Sequence, residues 1–209
     1  MKHTTADTNF SLWHTAVFSN DGKKVVFTDE WGGGTSPNCQ KQHPLEMGGN
    51  TTLTIGPDKQ LKQRAYFKIP SSQTAQENCV SHNGSLIPIP GRDVMVQGWY
   101  QGGVDVIDFT DPDKPDEIAF FDREPLDQPP PIDQGPGGAA RAQAPRGTIG
   151  GSWGAYWFNG HVYSSEMARG RSRSSPAAAT ARIRPTRPTR STGWTSSRCR
   201  WRSRRTRRS

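Results

Sequence analysis

Short apolar runs alternate with turn signals through the first 170 residues, and none has the apolar spacing of a long amphipathic helix. The clearest unit spans residues 85–122, where four runs rich in Val, Ile and Phe are separated by turns containing Gly or Pro. The predicted strands of this unit are 85–89, 93–99, 104–109 and 117–121. Short strands joined by tight turns predict one four-stranded antiparallel sheet.

The unit repeats along the chain. Val25, Val94 and Val162 each lie in a strand-like run that follows a turn, and they are 69 and 68 residues apart. This spacing exceeds the roughly 40–50 residues of a propeller blade, and the excess falls in Gly- and Pro-rich stretches without periodicity. The predicted division is a lead-in (1–11), blade A (12–69) with a loop insertion (32–50), blade B (79–122), a Pro/Gly-rich loop (123–151), half of blade C (152–170) and a tail (171–209). We therefore predict an all-β protein, a β-propeller fragment of about two and a half four-stranded antiparallel blades followed by a disordered basic tail.

Several segments carry a resemblance to a known family. Residues 104–112 read VDVIDFTDP, while 13–16, 77–85 and 151–156 read WHTA, ENCVSHNGS and GSWGAY. In this order they resemble the C-terminal blades of the LVIVD-repeat β-propellers, exported bacterial proteins of mostly unknown activity. The resemblance covers about 7–170, and it implies that complete members have further blades and an export signal upstream.

Our main functional hypothesis is a remnant of an exported binding or scaffold propeller that is not active alone. Because a blade covers its faces only between neighbours, we expect the exposed edges to favour self-association. No nucleophile elbow, phosphate loop, paired-cysteine metal motif or HExxH helix occurs. The sequence therefore assigns no catalytic residue, cofactor or specific partner.

Two histidines are the best candidates for chemistry. His14 and His82 precede Val25 and Val94 by 11 and 12 residues, at the opening of corresponding strands. Since the innermost strands of a propeller line its channel, we expect the two imidazoles to converge near the axis and to offer a transition-metal site. Glu30 and Glu166, near the ends of second strands, can add carboxylates.

That arrangement would make the parent protein a metal-dependent enzyme. The alternative is that His14 and His82 are structural groups that form hydrogen bonds between blades. The aromatic residues of the first 170, among them Trp99, Tyr100 and Trp153, are predicted to pack between blades.

Cys39 and Cys79 lie in polar, loop-like segments. They suit a disulfide of an exported protein, and two unrelated thiols are the alternative. The first residues lack the apolar stretch of a signal peptide, so the chain as written is expected to remain in the cytoplasm. It also has no run of about 18 apolar residues, which predicts no membrane span.

The composition changes abruptly after Gly170. Residues 171–209 hold 13 Arg, 8 Ser and 6 Thr and no acidic residue, so the net charge of +8 divides into about −5 before this point and +13 after it. Back-translated and read in a shifted frame, the tail yields strand-like segments that match the blade pattern, which we interpret as a frameshift near Gly170. The alternative is an Arg/Ser-rich arm that binds nucleic acid through phosphate contacts. Its charge alone predicts non-specific binding of polyanions at low salt.

Overall fold

The computed structural model describes residues 6–123, 125–126 and 149–168 and the backbone of 179–182. Within these ranges the chain forms eleven β-strands and one short 3-10 helix, Trp31–Gly34. The strands are β1 (Trp13–Phe18), β2 (Lys24–Asp29), β3 (Asn50–Ile55), β4 (Leu61–Phe67), β5 (Gly84–Ile89), β6 (Arg92–Gly98), β7 (Val104–Asp108), β8 (Asp116–Phe121), β9 (Ser152–Phe158), β10 (His161–Glu166) and β11 (Ala179–Arg182). The predicted all-β class is confirmed.

The strands form three antiparallel sheets in which each strand pairs with the next along the chain. Sheet 1 contains β1–β4 and sheet 2 contains β5–β8, both in sequential order, and sheet 3 has the order β11-β10-β9. The four strands predicted within 85–122 match β5–β8 to within one residue at each end. Gly22 at φ +66° and Gly91 at φ +74° provide the left-handed conformation that the β1–β2 and β5–β6 turns need.

The mostly apolar run 65–69 predicts a strand in blade A, and β4 begins four residues earlier. It starts at Leu61 and includes Lys62, Gln63 and Arg64, which carry no apolar alternation. These residues lie on the outer strand of sheet 1, where backbone pairing with β3 sets the strand limits and the side chains need no core position.

Sheet 2 is buried on both faces. Met95 and Ile107 face sheet 1, where they join Val17, Val26 and Phe67 in one apolar cluster. The neighbouring positions on the same strands belong to a second cluster shared with sheet 3, made of Ile87, Val94, Val96, Val104, Val106, Ala155 and Val162. Burial on both faces explains why β6 reads as a continuous apolar run, whereas a strand with one solvated face would alternate.

A fully enclosed segment joins sheet 1 to sheet 2. Residues 77–82 are at most 3% exposed. Their polar groups are paired with the loop 32–50: the Asn78 side-chain amide donates to the Gly34 carbonyl (2.8 Å), and the Ser81 hydroxyl donates to the Gly49 carbonyl (2.7 Å). Cys79 forms a disulfide with Cys39 of that loop, with 5.5 Å between their Cα atoms. The disulfide and these hydrogen bonds fasten the loop against the connecting segment.

Strand β11 lies within the segment predicted to be disordered, so the expectation of disorder does not hold for residues 179–182. They pair with β10 and extend sheet 3 beyond the two strands expected for half of blade C. The edge of β10 offers a row of backbone donors and acceptors, with which the backbone of β11 pairs. The remainder of the predicted tail 171–209, most of the predicted loop 123–151 and residues 1–5 of the lead-in lie outside the described residues. Among the residues that are described, no helix has the length and apolar character needed to cross a bilayer.

Candidate metal centre

Three elements bring the candidate residues together. His14 is the second residue of β1, and Glu30 directly follows β2. Trp13 pairs with Asp29, and the Glu30 amide donates to the Leu12 carbonyl (2.9 Å), so the antiparallel register itself places His14 beside Glu30. His82 ends the enclosed segment before β5, where its amide donates to the Gly98 carbonyl at 3.1 Å.

The two histidines and Glu30 form a compact cluster. The imidazole rings of His14 and His82 are stacked with their centroids 4.4 Å apart. His14 Nδ1 lies 3.4 Å from Glu30 Oε2, and His82 Nε2 lies 3.3 Å from Glu30 Oε1. One ligand atom from each residue can be chosen so that all three lie within 4.8 Å of one another. The structure thus brings together both histidines singled out in the sequence.

Glu166, the other carboxylate considered, is not part of this cluster. Its Oε1 accepts hydrogen bonds from the backbone amides of Gly151 (2.8 Å) and Ala168 (3.2 Å) within the region of sheet 3. Glu30 directly follows β2 and Glu166 ends β10, so both lie at the end of the second strand of a sheet. No feature of the sequence therefore distinguishes them as candidate ligands. Among the described residues, Glu30 is the glutamate that groups with histidines, with His14 from its own sheet and His82 from the segment before β5.

The tautomer of His82 is set by a backbone carbonyl. His82 Nδ1 contacts the carbonyl oxygen of Trp153, which can only accept, so Nδ1 carries the hydrogen. In the neutral ring Nε2 then presents a lone pair. This atom is buried and makes no hydrogen bond, although it faces Glu30 Oε1. Burial lowers the pKa of His82, which favours the neutral ring.

Two acceptors therefore face each other across 3.3 Å. A lone pair directed at a carboxylate oxygen is unfavourable unless a proton or a metal ion lies between or beside them. A backbone carbonyl that holds Nδ1–H and directs Nε2 inward is also the usual support of a histidine that ligates a metal. The local electrostatics of this cluster thus call for a positive charge.

Two aromatic residues pack against the cluster, the buried Tyr100 and the partly exposed Trp153. The Tyr100 hydroxyl donates to Glu30 Oε1, and its ring centroid lies 4.8 Å from that of His82. The Trp153 ring lies 4.4 Å from the His82 ring. Burial, together with the Glu30 carboxylate, raises the pKa of the Tyr100 phenol, which keeps it a hydrogen-bond donor.

The sequence had assigned Tyr100 and Trp153 to packing alone and missed their polar contacts with the cluster. No local signal could have found them, because Tyr100 acts through its hydroxyl on a residue 70 positions away and Trp153 acts through its backbone.

The cluster is open on one side only. His82 is fully buried and Glu30 is 8% exposed, whereas the His14 side chain is 30% exposed. Two imidazoles and one carboxylate are donors that suit Zn²⁺ and other divalent transition metals. Three protein ligands leave a coordination position for water or another small donor, and solvent can reach it past His14.

No protein-family model matches this chain, and no curated protein matches it. We therefore infer its function from the chemistry of the cluster and from the arrangement of the sheets.

Proposed function

We propose that this chain is part of a β-propeller and that it binds one divalent transition-metal ion through His14, Glu30 and His82. The observation that carries the metal proposal is the buried, neutral His82 Nε2 facing Glu30 Oε1 at 3.3 Å. A metal ion bound to His82 Nε2 and to the Glu30 carboxylate places a positive charge beside both groups. A structural role for the two histidines requires instead a proton at this contact, on His82 Nε2 or on Glu30.

The arrangement of first strands supports the propeller. The Thr15 hydroxyl on β1 donates to the side chain of Asn83 next to β5 at 2.7 Å, and Asn83 in turn forms a backbone bridge with Gly154 of β9. Ser85 of β5 donates to the Ala155 carbonyl of β9 (3.2 Å). First strands side by side, each followed outward by its own sheet, are the arrangement of neighbouring propeller blades.

Corresponding turns and one sheet face give further support. The Asn20 amide in the β1–β2 turn donates to Asp93 beside the β5–β6 turn at 2.9 Å, so equivalent points of two sheets meet. On sheet 3, Tyr156 and Phe158 are 54% and 70% exposed. In a complete ring this face would pack against a further blade, as the opposite face packs against sheet 2.

The LVIVD resemblance agrees with this proposal, and it adds an exported parent protein, in which a Cys39–Cys79 disulfide would persist. In that setting the chain belongs to a binding protein whose ligand is the metal ion or a molecule held by it. The metal centre thus favours the metal-binding alternative for the two histidines.

Metal titration of the whole chain tests the proposal. The protein, purified under oxidising conditions and freed of metal with EDTA, is titrated with Co²⁺ and Zn²⁺ by calorimetry and by the visible spectrum of the Co²⁺ form. We expect one site with nitrogen and oxygen ligands. His82→Ala, His14→Ala and Glu30→Gln should each weaken Co²⁺ binding by at least about tenfold.

His161→Ala is the matched control, because in the described part of the chain the His161 ring contacts the Asn159 carbonyl (3.0 Å) and the Tyr163 ring, and no residue of the cluster. It should bind Co²⁺ as the wild type does. If wild type binds no Co²⁺ or Zn²⁺, or if the His82→Ala and His161→Ala proteins bind equally well, the metal proposal is wrong.

A further inference from the structure

Tyr100 is held in a conformation that a bulky residue rarely adopts. Its φ is +52°, in the left-handed region, although it is not a glycine. The backbone is fixed by reciprocal hydrogen bonds with Ser152, of 3.0 Å from the Tyr100 amide and 2.8 Å to the Tyr100 carbonyl. The residue is 2% exposed. Strained backbone persists only where the surroundings determine it, and such positions cluster at functional sites.

Two glycines make room for this residue. A Cβ added at Gly34 would overlap the Tyr100 ring and hydroxyl, and one at Gly151 would overlap the Tyr100 carbonyl group. Both glycines have positive φ angles, +71° and +87°. The loop 32–50 and the start of sheet 3 thus both lack side chains at the points where Tyr100 enters.

In this position the Tyr100 hydroxyl donates a hydrogen bond to Glu30 Oε1. Glu30 Oε2 is the oxygen that lies 3.4 Å from His14 Nδ1. The phenol therefore occupies one carboxylate oxygen and fixes the plane of the carboxylate, which leaves the other oxygen facing His14. Without this donor, rotation about the Glu30 side-chain bonds would let either or both oxygens approach an ion.

We propose that Tyr100 is a positioning residue of the metal centre, which holds Glu30 so that it ligates the ion through Oε2 alone. The inference rests on the proposed metal site. Outer donors that orient a ligating carboxylate govern metal affinity and coordination. A carboxylate restricted to one oxygen also leaves a coordination position free for a ligand that enters past His14.

Tyr100→Phe removes the hydroxyl and keeps the ring. Tyr66→Phe is the matched control, because the Tyr66 hydroxyl also donates to a carboxylate, Asp7 Oδ2 at 2.6 Å, outside the metal cluster. We expect Tyr100→Phe to bind Co²⁺ about 10–100-fold more weakly than wild type and to change the visible spectrum of the bound Co²⁺. Tyr66→Phe should keep the affinity and the spectrum of the wild type.

The outcomes separate the two proposals. If wild type binds no Co²⁺, the metal site itself is wrong. If wild type binds Co²⁺ and a folded Tyr100→Phe protein binds it with unchanged affinity and spectrum, the site stands and the role of Tyr100 is wrong. A crystal structure of the Zn²⁺-loaded wild type tests the inference without any variant: Glu30 bound through Oε2, with Oε1 on Tyr100, is the expected result, and a bidentate Glu30 would overturn it.

Discussion

The Thr15 hydroxyl donates to Asn83 Oδ1 at 2.7 Å, and each of these residues directly follows one histidine of the cluster. The bond joins β1 of sheet 1 to the segment that leads into β5 of sheet 2. The distance between His14 and His82 is therefore fixed by a direct link between their neighbours in sequence, in addition to the packing of the sheets.

Thr15→Val removes this link and keeps the shape of the side chain. We expect a loss of about 1 kcal/mol in the free energy of unfolding and a several-fold weaker affinity for Co²⁺, because the two imidazoles become less well oriented. Urea unfolding and calorimetric titration measure the two effects. Thr54→Val is the control, since the Thr54 hydroxyl forms only a long 3.4 Å contact within sheet 1. Equal Co²⁺ affinities for the two variants would contradict the prediction.

The Asp29 carboxylate joins the segment that precedes β1 to the loop 32–50 through hydrogen bonds. It accepts hydrogen bonds from the amides of Leu12 (2.7 Å), Ser11 (3.1 Å) and Gly48 (3.2 Å), and the residue is fully buried. Asp29→Ala leaves three backbone donors without their acceptor, so we expect a loss of about 3 kcal/mol or more in the free energy of unfolding.

Asp58→Ala is the comparison for this substitution. The Asp58 carboxylate likewise accepts a backbone hydrogen bond, from Gln60 at 3.1 Å, but at an exposed turn. We expect its free energy of unfolding to stay within about 0.5 kcal/mol of the wild type. Similar urea midpoints for the two alanine variants would refute the structural role of Asp29.

The Cys39–Cys79 disulfide closes a long loop, since the two cysteines are 40 residues apart. Restricting the unfolded chain in this way contributes about 4 kcal/mol by the loop-entropy relation. We expect the double variant Cys39→Ser, Cys79→Ser to lose stability on this order in urea unfolding. A reducing agent should destabilise the wild type and leave the double variant unchanged. A wild type that unfolds at the same urea concentration with and without reductant would show that the disulfide contributes nothing.

We expect the buried Lys68 to make the free energy of unfolding depend on pH. Its ammonium donates to the carbonyls of Pro44 (3.1 Å) and Met47 (2.6 Å), and burial lowers the pKa of Lys68 from 10.5 to about 8. Between these two pH values the unfolded chain binds the proton more tightly than the folded chain. The contribution of Lys68 to the free energy of unfolding therefore rises with pH from about 8 to 10.5, by on the order of 2–3 kcal/mol.

The measurement is the difference in unfolding free energy between wild type and Lys68→Met across this pH range, because other groups cancel in the difference. Lys62→Met is the control, since Lys62 is exposed on β4. The difference for Lys68→Met should change with pH by more than the difference for Lys62→Met. A flat difference for Lys68→Met would show that Lys68 has an ordinary pKa.

Most strands could be predicted because their signals are local. Turns such as that at Gly91 and the apolar runs of β5–β8 belong to contiguous segments, and they fix strand positions to within one residue. The start of β4 and the existence of β11 were missed because both depend on backbone pairing with a neighbouring strand, which no local pattern marks. The repeat spacing was enough to single out His14 and His82, since equivalent positions in repeated units occupy equivalent places.

The sequence by itself determined the all-β class and the strand order within sheets 1 and 2, because periodicity and turn chemistry act over a few residues. It also identified two histidines at equivalent repeat positions as the candidate ligands. Only the tertiary structure decided that Glu30 and not Glu166 joins them, that the Trp153 carbonyl sets the tautomer of His82, and that the Tyr100 hydroxyl reaches Glu30. The last two contacts connect residues about 70 positions apart in different parts of the fold. Their geometry arises from how the sheets pack, which no local pattern in the chain encodes.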